Sequence, residues 1–162
     1  MAETPESTVP LEPPRGIRQA SVDAKGRLKL PAVMQQYLSS LGERKVFITS
    51  FDYRTGRIYP LSAWRQVERF FDEFREDPEI AEHVSLIAND VGADSEMDSE
   101  GRLLLPQELR RRLKLDTPQQ VYLHPYKGRI NLYTAEVYAA MKARAEEGLL
   151  EKVRRLEEKG LK

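Results

Sequence analysis

Asp23-Ala-Lys-Gly-Arg-Leu-Lys-Leu-Pro31 returns 75 positions later as Asp98-Ser-Glu-Gly-Arg-Leu-Leu-Leu-Pro106, with six of the nine positions identical. The same spacing sets Val46-Phe47-Ile48 over Val121-Tyr122-Leu123, and a spacing one residue shorter sets Tyr59 over Tyr133 and Trp64 over Tyr138. The similarity therefore runs through an entire unit, and the chain is a tandem duplication, a reading that has to precede any judgement of fold.

Turn chemistry dictates the start of each unit. An Asp three residues before a Gly suits a type I turn: the carboxylate accepts local backbone N–H groups, and the Gly takes the positive φ from which a second strand departs. Asp23 to Gly26 and Asp98 to Gly101 both fit. Alternation around the first turn puts Ala20, Val22, Leu28 and Leu30 on one face and Ser21, Arg27 and Lys29 on the other, so residues 18 to 30 form a half-buried hairpin. Pro31 and Pro106 cannot continue a central ladder and are well placed at the first turn of helices over 32–41 and 107–115. Residues 46–50, 57–59, 121–124 and 129–133 read as further short strands, with Gly56 and Gly128 in the intervening turns.

Helices follow each unit. Behind Ser62 as N-cap, Trp64, Val67, Phe70, Phe71 and Phe74 share one face, and this stripe reads as core. Asp77-Pro78-Glu79 opens a second helix carrying Ile80, Val84 and Ile87. Thr134 caps a third bearing Val137, Tyr138 and Met141, interrupted at Gly148. Leu149, Leu150, Val153 and Leu156 then suit an amphipathic extension, an oligomer contact or a frayed tail.

Composition narrows the chemistry. The 162 residues include no cysteine and two histidines, His83 and His124, which excludes a disulfide scaffold, a zinc finger and a thiol nucleophile. Neither histidine sits in a motif, the carboxylates at 72, 73, 76, 77 and 79 lack metal-ligand spacing, and Gly26 and Gly101 are lone turn glycines. The expectation is no enzyme, no metal and no cofactor. No run of 18 apolar residues occurs, and the acidic, Pro-rich start resembles no signal peptide, so a cytoplasmic protein without a membrane partner is expected. Formal net charge is zero, but it is blocked: residues 17–65 carry nine Lys and Arg against three Asp and Glu, residues 66–97 two against ten, residues 98–133 seven against four. Two basic faces flanking an acidic segment would serve a nucleic-acid partner, although charge alone reads equally well as a solvated surface.

Asp-x-x-Gly-Arg followed by alternating apolar residues and Pro, given twice in a chain of this length, resembles the MraZ family over about Arg15 to Met141. The resemblance implies an α+β chain of duplicated AbrB-like (swapped-hairpin) β-barrel units forming an intramolecular pseudo-dimer, with packed helices after each unit. The expected organisation is a flexible Pro-rich extension over 1–14, a first unit over 15–64, linking helices over 65–88, a second unit over 89–140, and a charged C-terminal helix or tail over 141–162. It also implies a transcriptional regulator, usually a repressor of the bacterial division and cell-wall gene cluster. Such a regulator is nucleoid-associated and assembled into ring-like homo-oligomers on direct repeats of double-stranded DNA. The family's Asp-x-x-x-Arg residues fall on Asp23 and Arg27, and on Asp98 and Arg102; Arg15-Gly16 matches the usual start.

A two-stranded ribbon fits the major groove and can present cations to phosphates and base edges. On that basis Arg27 makes the specific contact, Asp23 shapes the turn and orients its guanidinium, and Lys25 and Lys29 bind the DNA backbone. Arg15 and Arg18, at the entry to the hairpin, join the DNA-binding set with Asp98 and Arg102. The second hairpin, with Glu100 and Leu104 at the corresponding positions, reads as mainly structural. The competing reading of Arg27 is an intramolecular pair with Asp23 that merely stabilises the turn. Arg110-Arg111-Arg112 reads as a solvated helix surface, with added phosphate contacts as the alternative. The alternative function is an AbrB-fold interaction module or antitoxin without operator binding.

Overall fold

The computed structural model describes residues 11–162, so most of the Pro-rich extension expected over 1–14 lies outside the described residues. In chain order the elements are β1 (Arg18–Val22), β2 (Arg27–Lys29), α1 (Ala32–Ser40), β3 (Lys45–Thr49), β4 (Gly56–Pro60), α2 (Leu61–Glu73) and α3 (Pro78–Val91). The second half repeats the pattern with β5 (Ala93–Glu96), β6 (Arg102–Leu104), α4 (Gln107–Leu113), β7 (Gln119–Tyr126), β8 (Arg129–Thr134), α5 (Ala135–Glu146) and α6 (Leu149–Glu157). Pro31 and Pro106 stand just outside α1 and α4, at the N-cap. Their fixed φ suits the bend from strand to helix, and neither interrupts a ladder.

All eight strands form one antiparallel sheet in the order β5-β3-β4-β8-β7-β1-β2-β6. Its two ends meet where Ser95 Oγ donates to the Leu104 carbonyl at 3.0 Å, so the sheet is a nearly closed barrel. The register shows how the duplication is used. β1 pairs with β7 of the other unit, Ala20 opposite Val121, and β5 pairs with β3, Ser95 opposite Val46, which is the same pairing with the units exchanged. Leu28 faces its own repeat equivalent Leu103 across β2 and β6, and Arg57 faces Asn131 across β4 and β8. A pseudo-two-fold axis thus passes between Leu28 and Leu103 on one wall and between Arg57 and Asn131 on the opposite wall. The units are swapped-hairpin halves of one α+β pseudo-dimer, as the resemblance implied.

The inward positions of every strand but β5, whose buried residue is Ser95, fill the barrel with apolar side chains. Val22, Leu28, Leu30, Val46, Ile48, Ile58, Leu103, Leu105, Val121, Leu123, Ile130 and Leu132 are all buried, joined by Met34 and Leu38 of α1 and Leu109 and Leu113 of α4. This is the alternation read around the first turn, with Arg27 and Lys29 facing out. A second cluster lies outside the barrel, where Trp64 of α2 stacks on Phe47 at 4.4 Å between ring centroids. Its counterpart after the second unit is the Tyr122–Tyr138 stack at 4.1 Å, so each helix after a unit is anchored by one aromatic on the same sheet position.

The helical stripes are narrower than expected. α2 begins at Leu61 behind Pro60, not behind Ser62, and only Trp64 is fully buried, with Val67 and Phe71 partly so. Phe70 is 61% exposed and pairs instead with Phe74. At about 100° per residue, Phe70 and Phe74 stand a quarter turn away from the line through Trp64 and Phe71, beyond what one flat sheet can cover. In α3 the buried residues are Ala81, Ala88 and Val91, while Ile80 is 54% exposed. Small side chains let this helix approach closely enough for Thr49 Oγ1 to donate to the Ala88 carbonyl at 2.6 Å. The Thr134 hydroxyl caps α5 by accepting from Val137 N, and Gly148 at φ +59° separates α5 from α6, as expected. None of the helices described is long and apolar enough to cross a membrane.

Because Leu28 and Leu103 are fully buried partners on the axis, Leu28→Ala and Leu103→Ala should each cost about 2–5 kcal/mol in urea unfolding, a cavity-forming loss with little room to relax. The double variant should depart from additivity by about 0.5 kcal/mol or more. Strict additivity would mean that the two leucines do not share one packed site.

Candidate nucleic-acid interface

Each Asp is committed to its own turn in the same way. Asp23 Oδ1 accepts from Lys25 N and Arg27 N, both at 2.9 Å, while Asp23 Oδ2 accepts from Arg27 Nε at 2.8 Å. Gly26 N donates to the Asp23 carbonyl at 3.0 Å, with Gly26 at φ +81°. At the second turn Asp98 Oδ1 accepts from Glu100 N and Arg102 N, and Asp98 Oδ2 from Arg102 Nε at 2.9 Å, with Gly101 at φ +77°. Both arginines are two-thirds or more covered along their side chains. The intramolecular Asp–Arg pair therefore exists, but it engages only Nε of Arg27. At the second turn Arg102 Nη2 also lies 3.4 Å from Glu100, so that guanidinium is held from two sides.

The two turns do not form separate tips. Across the β2–β6 ladder Arg27 is opposite Leu104 and Lys29 is opposite Arg102, and side chains directly opposite share a face. With Leu28 and Leu103 pointing into the core, Arg27, Lys29, Arg102 and Leu104 all lie on the outer face of one short ribbon. The turns are also cross-braced: Leu30 N donates to the Gly101 carbonyl at 3.0 Å and Leu105 N to the Gly26 carbonyl at 2.9 Å.

The register separates the two lysines of the first copy. Lys29 follows the first turn in sequence, yet its Nζ donates to the Glu100 carbonyl of the second turn. Antiparallel pairing carries each departing strand toward the opposite turn, so Lys29 and Lys25 serve different ends of the ribbon. Arg18 stands five residues before Asp23 along an extended strand, roughly 16 Å from the turn, opposite Leu123. Arg15 lies beyond it, paired with Glu12 at 3.0 Å. The structure thus gathers Asp23, Lys25, Arg27, Lys29, Asp98 and Arg102 on the ribbon and its turns and leaves Arg15 and Arg18 outside.

Two further residues belong to this surface. A side chain built on Gly26 would collide with the Arg110 guanidinium, and one on Gly101 would collide with the Gln35 amide, at 2.4 Å and 2.1 Å. Arg110 Nε donates to the Leu105 carbonyl at 3.1 Å, and Gln35 Nε2 to the Leu30 carbonyl at 2.7 Å. These residues are repeat equivalents, each reaching from one unit to cover the other unit's turn. Arg110 is therefore not a free member of a solvated arginine row. Its neighbours are engaged too: both pair with Glu108, and Arg112 also lies 4.4 Å over the Tyr53 ring. The signal available in the sequence was the shared offset of 75 between positions 35 and 110.

Charge follows geometry. Backbone hydrogen bonding from Arg27, then its side-chain bond, holds the Asp23 carboxyl below the ordinary carboxylate range against partial burial, and Arg102 does the same for Asp98. Arg102 is held above its ordinary value, first by its hydrogen bond to Asp98, with Glu100 and the Asp23 of the other turn adding attraction. A carboxyl that ionises more readily folded than unfolded stabilises the fold above the ordinary carboxylate range, and this is lost as pH falls toward its depressed folded value. Melting temperatures between pH 7 and pH 3 should therefore fall less steeply in Asp23→Asn and Asp98→Asn than in the parent chain. Identical pH profiles would show that the turns carry no such linkage.

A family model described as "MraZ protein, putative antitoxin-like" matches residues 92–159. The transcriptional regulator MraZ of Marinomonas sp. is 36% identical over 103 residues, 63% of this chain and 68% of that protein. Its namesake in Pseudomonas putida is 38% identical over 107 residues, with the same coverage of each chain, and that of Acidobacterium capsulatum is 38% identical over 96 residues, covering 59% and 66%. The matched part of the chain spans about two thirds of the length of these relatives. With the swapped-hairpin pseudo-dimer and both Asp-x-x-x-Arg turns in place, the chain belongs to the MraZ family of transcriptional regulators.

Proposed function

We propose that the chain regulates transcription by binding double-stranded DNA through the β2–β6 ribbon and its two Asp–Arg turns. It represses the division and cell-wall gene cluster, its own gene included, from the cytoplasm at the nucleoid. The observation that carries this reading is the placement of both motifs on one outward face, with each Asp fixing its Arg through Nε. Arg27 keeps both Nη groups without a protein acceptor among the described residues, in the fork geometry suited to a guanine edge or a phosphate. Asp23, Asp98 and Arg102 shape and hold the ends of the ribbon, and Lys25 and Lys29 add attraction to the backbone. Arg15 and Arg18 would meet DNA only through a flanking segment.

One ribbon offers few contacts, so useful affinity requires several copies acting together on direct repeats, which makes a homo-oligomer part of the proposal. The names of the relatives support regulation; the ribbon's shape and charge support DNA as the target.

Duplex DNA from upstream of the protein's own gene, titrated with wild-type and variant protein, tests this. Arg27→Ala should fold and lose about 1–3 kcal/mol of binding, about 5- to 150-fold, with a smaller loss for Arg102→Ala because Glu100 already occupies part of that guanidinium. Wild-type binding should weaken steeply with salt. Absence of wild-type binding at low salt would overturn the proposal and favour a protein-interaction role, which co-purification of a partner would identify. A monomer in sedimentation that still binds tightly would remove the oligomer from it.

A further inference from the structure

The two ends of the ribbon are not electrically equal, and the difference comes from residues that the duplication would have made identical. Around the first turn stand Asp23, Lys25, Arg27, Leu104 and Arg110; around the second stand Asp98, Glu100, Arg102, Lys29 and Gln35. The first end carries an excess of two positive charges and the second carries none. Arg110 supplies half of that excess, and it is contributed by the second unit. Its guanidinium rests on Gly26, its Nε is fixed by the Leu105 carbonyl, and it enters no ion pair among the described residues. Its Nη groups have no protein acceptor among the described residues either. It therefore presents a pre-oriented cation beside Lys25 and Arg27, held at the base of the turn on a helix, where little side-chain freedom remains to be lost on binding.

We propose that Arg110 completes a phosphate-binding site at the first turn, with Lys25 and Arg27, and so makes that end of the ribbon the stronger point of attachment to the DNA backbone. This inference rests on the DNA-binding reading and names a contact within it. The ligand is a backbone phosphate, not a base: the guanidinium lies flat against Gly26 at the turn, while Arg27 occupies the outer face of the ribbon. Gln35 is the built-in control. It occupies the same slot at the second turn, donates to the equivalent carbonyl and carries no charge, so the slot accepts Gln without a change of fold.

The test compares wild type, Arg110→Gln, Arg110→Lys and Gln35→Arg on two duplexes of equal length, one from upstream of the protein's own gene and one scrambled. Affinity is followed across salt concentration, with circular dichroism and thermal melts on each variant. Arg110→Gln should keep the melt of the wild type and weaken binding several-fold on both duplexes. It should lower the slope of log affinity against log salt by about 1 for each subunit on the DNA, as loss of one phosphate contact requires. Arg110→Lys should restore most of the slope, and Gln35→Arg should raise it by a similar amount. If wild type binds and Arg110→Gln matches it in affinity and slope, the phosphate site is overturned while the DNA-binding reading stands. A loss in Arg110→Gln that Lys does not rescue, with a lowered melt, would make Arg110 a brace for the turn and overturn the proposal equally. Failure of the wild type to bind either duplex would overturn both readings together.

Discussion

The pairing of β2 with β6 about Leu28 and Leu103 is the contact on which the rest of the molecule depends. Each of these strands is three residues long, too short to hold a hairpin as an independent unit. Stability comes from the exchange: each turn's Gly carbonyl accepts from the strand end of the other unit, and each helix after a strand sends a side chain back over the other unit's turn. The two axial leucines sit under this ladder with no exposed surface, so the register cannot slip by one residue without turning them outward and Arg27 and Arg102 into the core. Core packing and the orientation of the charged face are thus set by a single constraint.

A true homodimer of hairpins would be bound by its symmetry to present the same residue at both ends of the ribbon. Tandem duplication removes that obligation while keeping the architecture, because the backbone exchange needs only the Asp, the Gly and the apolar alternation to persist in both copies. Those are the positions that remain identical here: Asp, Gly, Arg, Leu, Leu and Pro. Of the positions that differ, Lys25 against Glu100, Lys29 against Leu104 and Arg110 against Gln35 change the charge, and all lie on the outer face or against a turn, where such a change does not disturb the ladder. The fold leaves the charge of these positions free to differ between the two turns.

Much of this was legible in the sequence, for reasons that separate local from distant effects. The Asp-to-Gly turns, the alternation around them and the prolines after them are local rules, and β1, β2, α1 and α4 follow them. The family resemblance implied the exchange of hairpins, but no local pattern says that β1 pairs with β7, since the pairing is decided by which apolar edges close the barrel. For the same reason no local pattern shows that Lys29 reaches the turn of the other unit, or that Arg110 reaches from α4 to Gly26. Periodicity puts Phe70 and Phe74 in one stripe with Trp64 because it shows which residues share a side of a helix, not how wide a strip the opposing sheet covers. Ala81 and Ala88 do not stand out in the sequence because close approach selects small residues, which carry little weight in a hydrophobic pattern.

The Asp–Arg pair itself, once seen, bears on both readings of Arg27. Ion pairs at a protein surface contribute little to stability, and the turn is already secured by Oδ1 through two backbone N–H groups, without the guanidinium. Stability alone therefore gives weak reason for the arginine, since a turn of this kind needs the Asp and the Gly and little else. What the second oxygen does is fix the plane of the guanidinium through Nε, which removes rotamer freedom before any ligand arrives and turns the remaining fork outward. At the second turn the same device appears with Glu100 closing on Arg102, so the orientation is retained and the free edge is partly occupied. The pair thus acts as a means of orientation at both turns, and the surrounding charges decide how much of each guanidinium is left without a protein partner among the described residues.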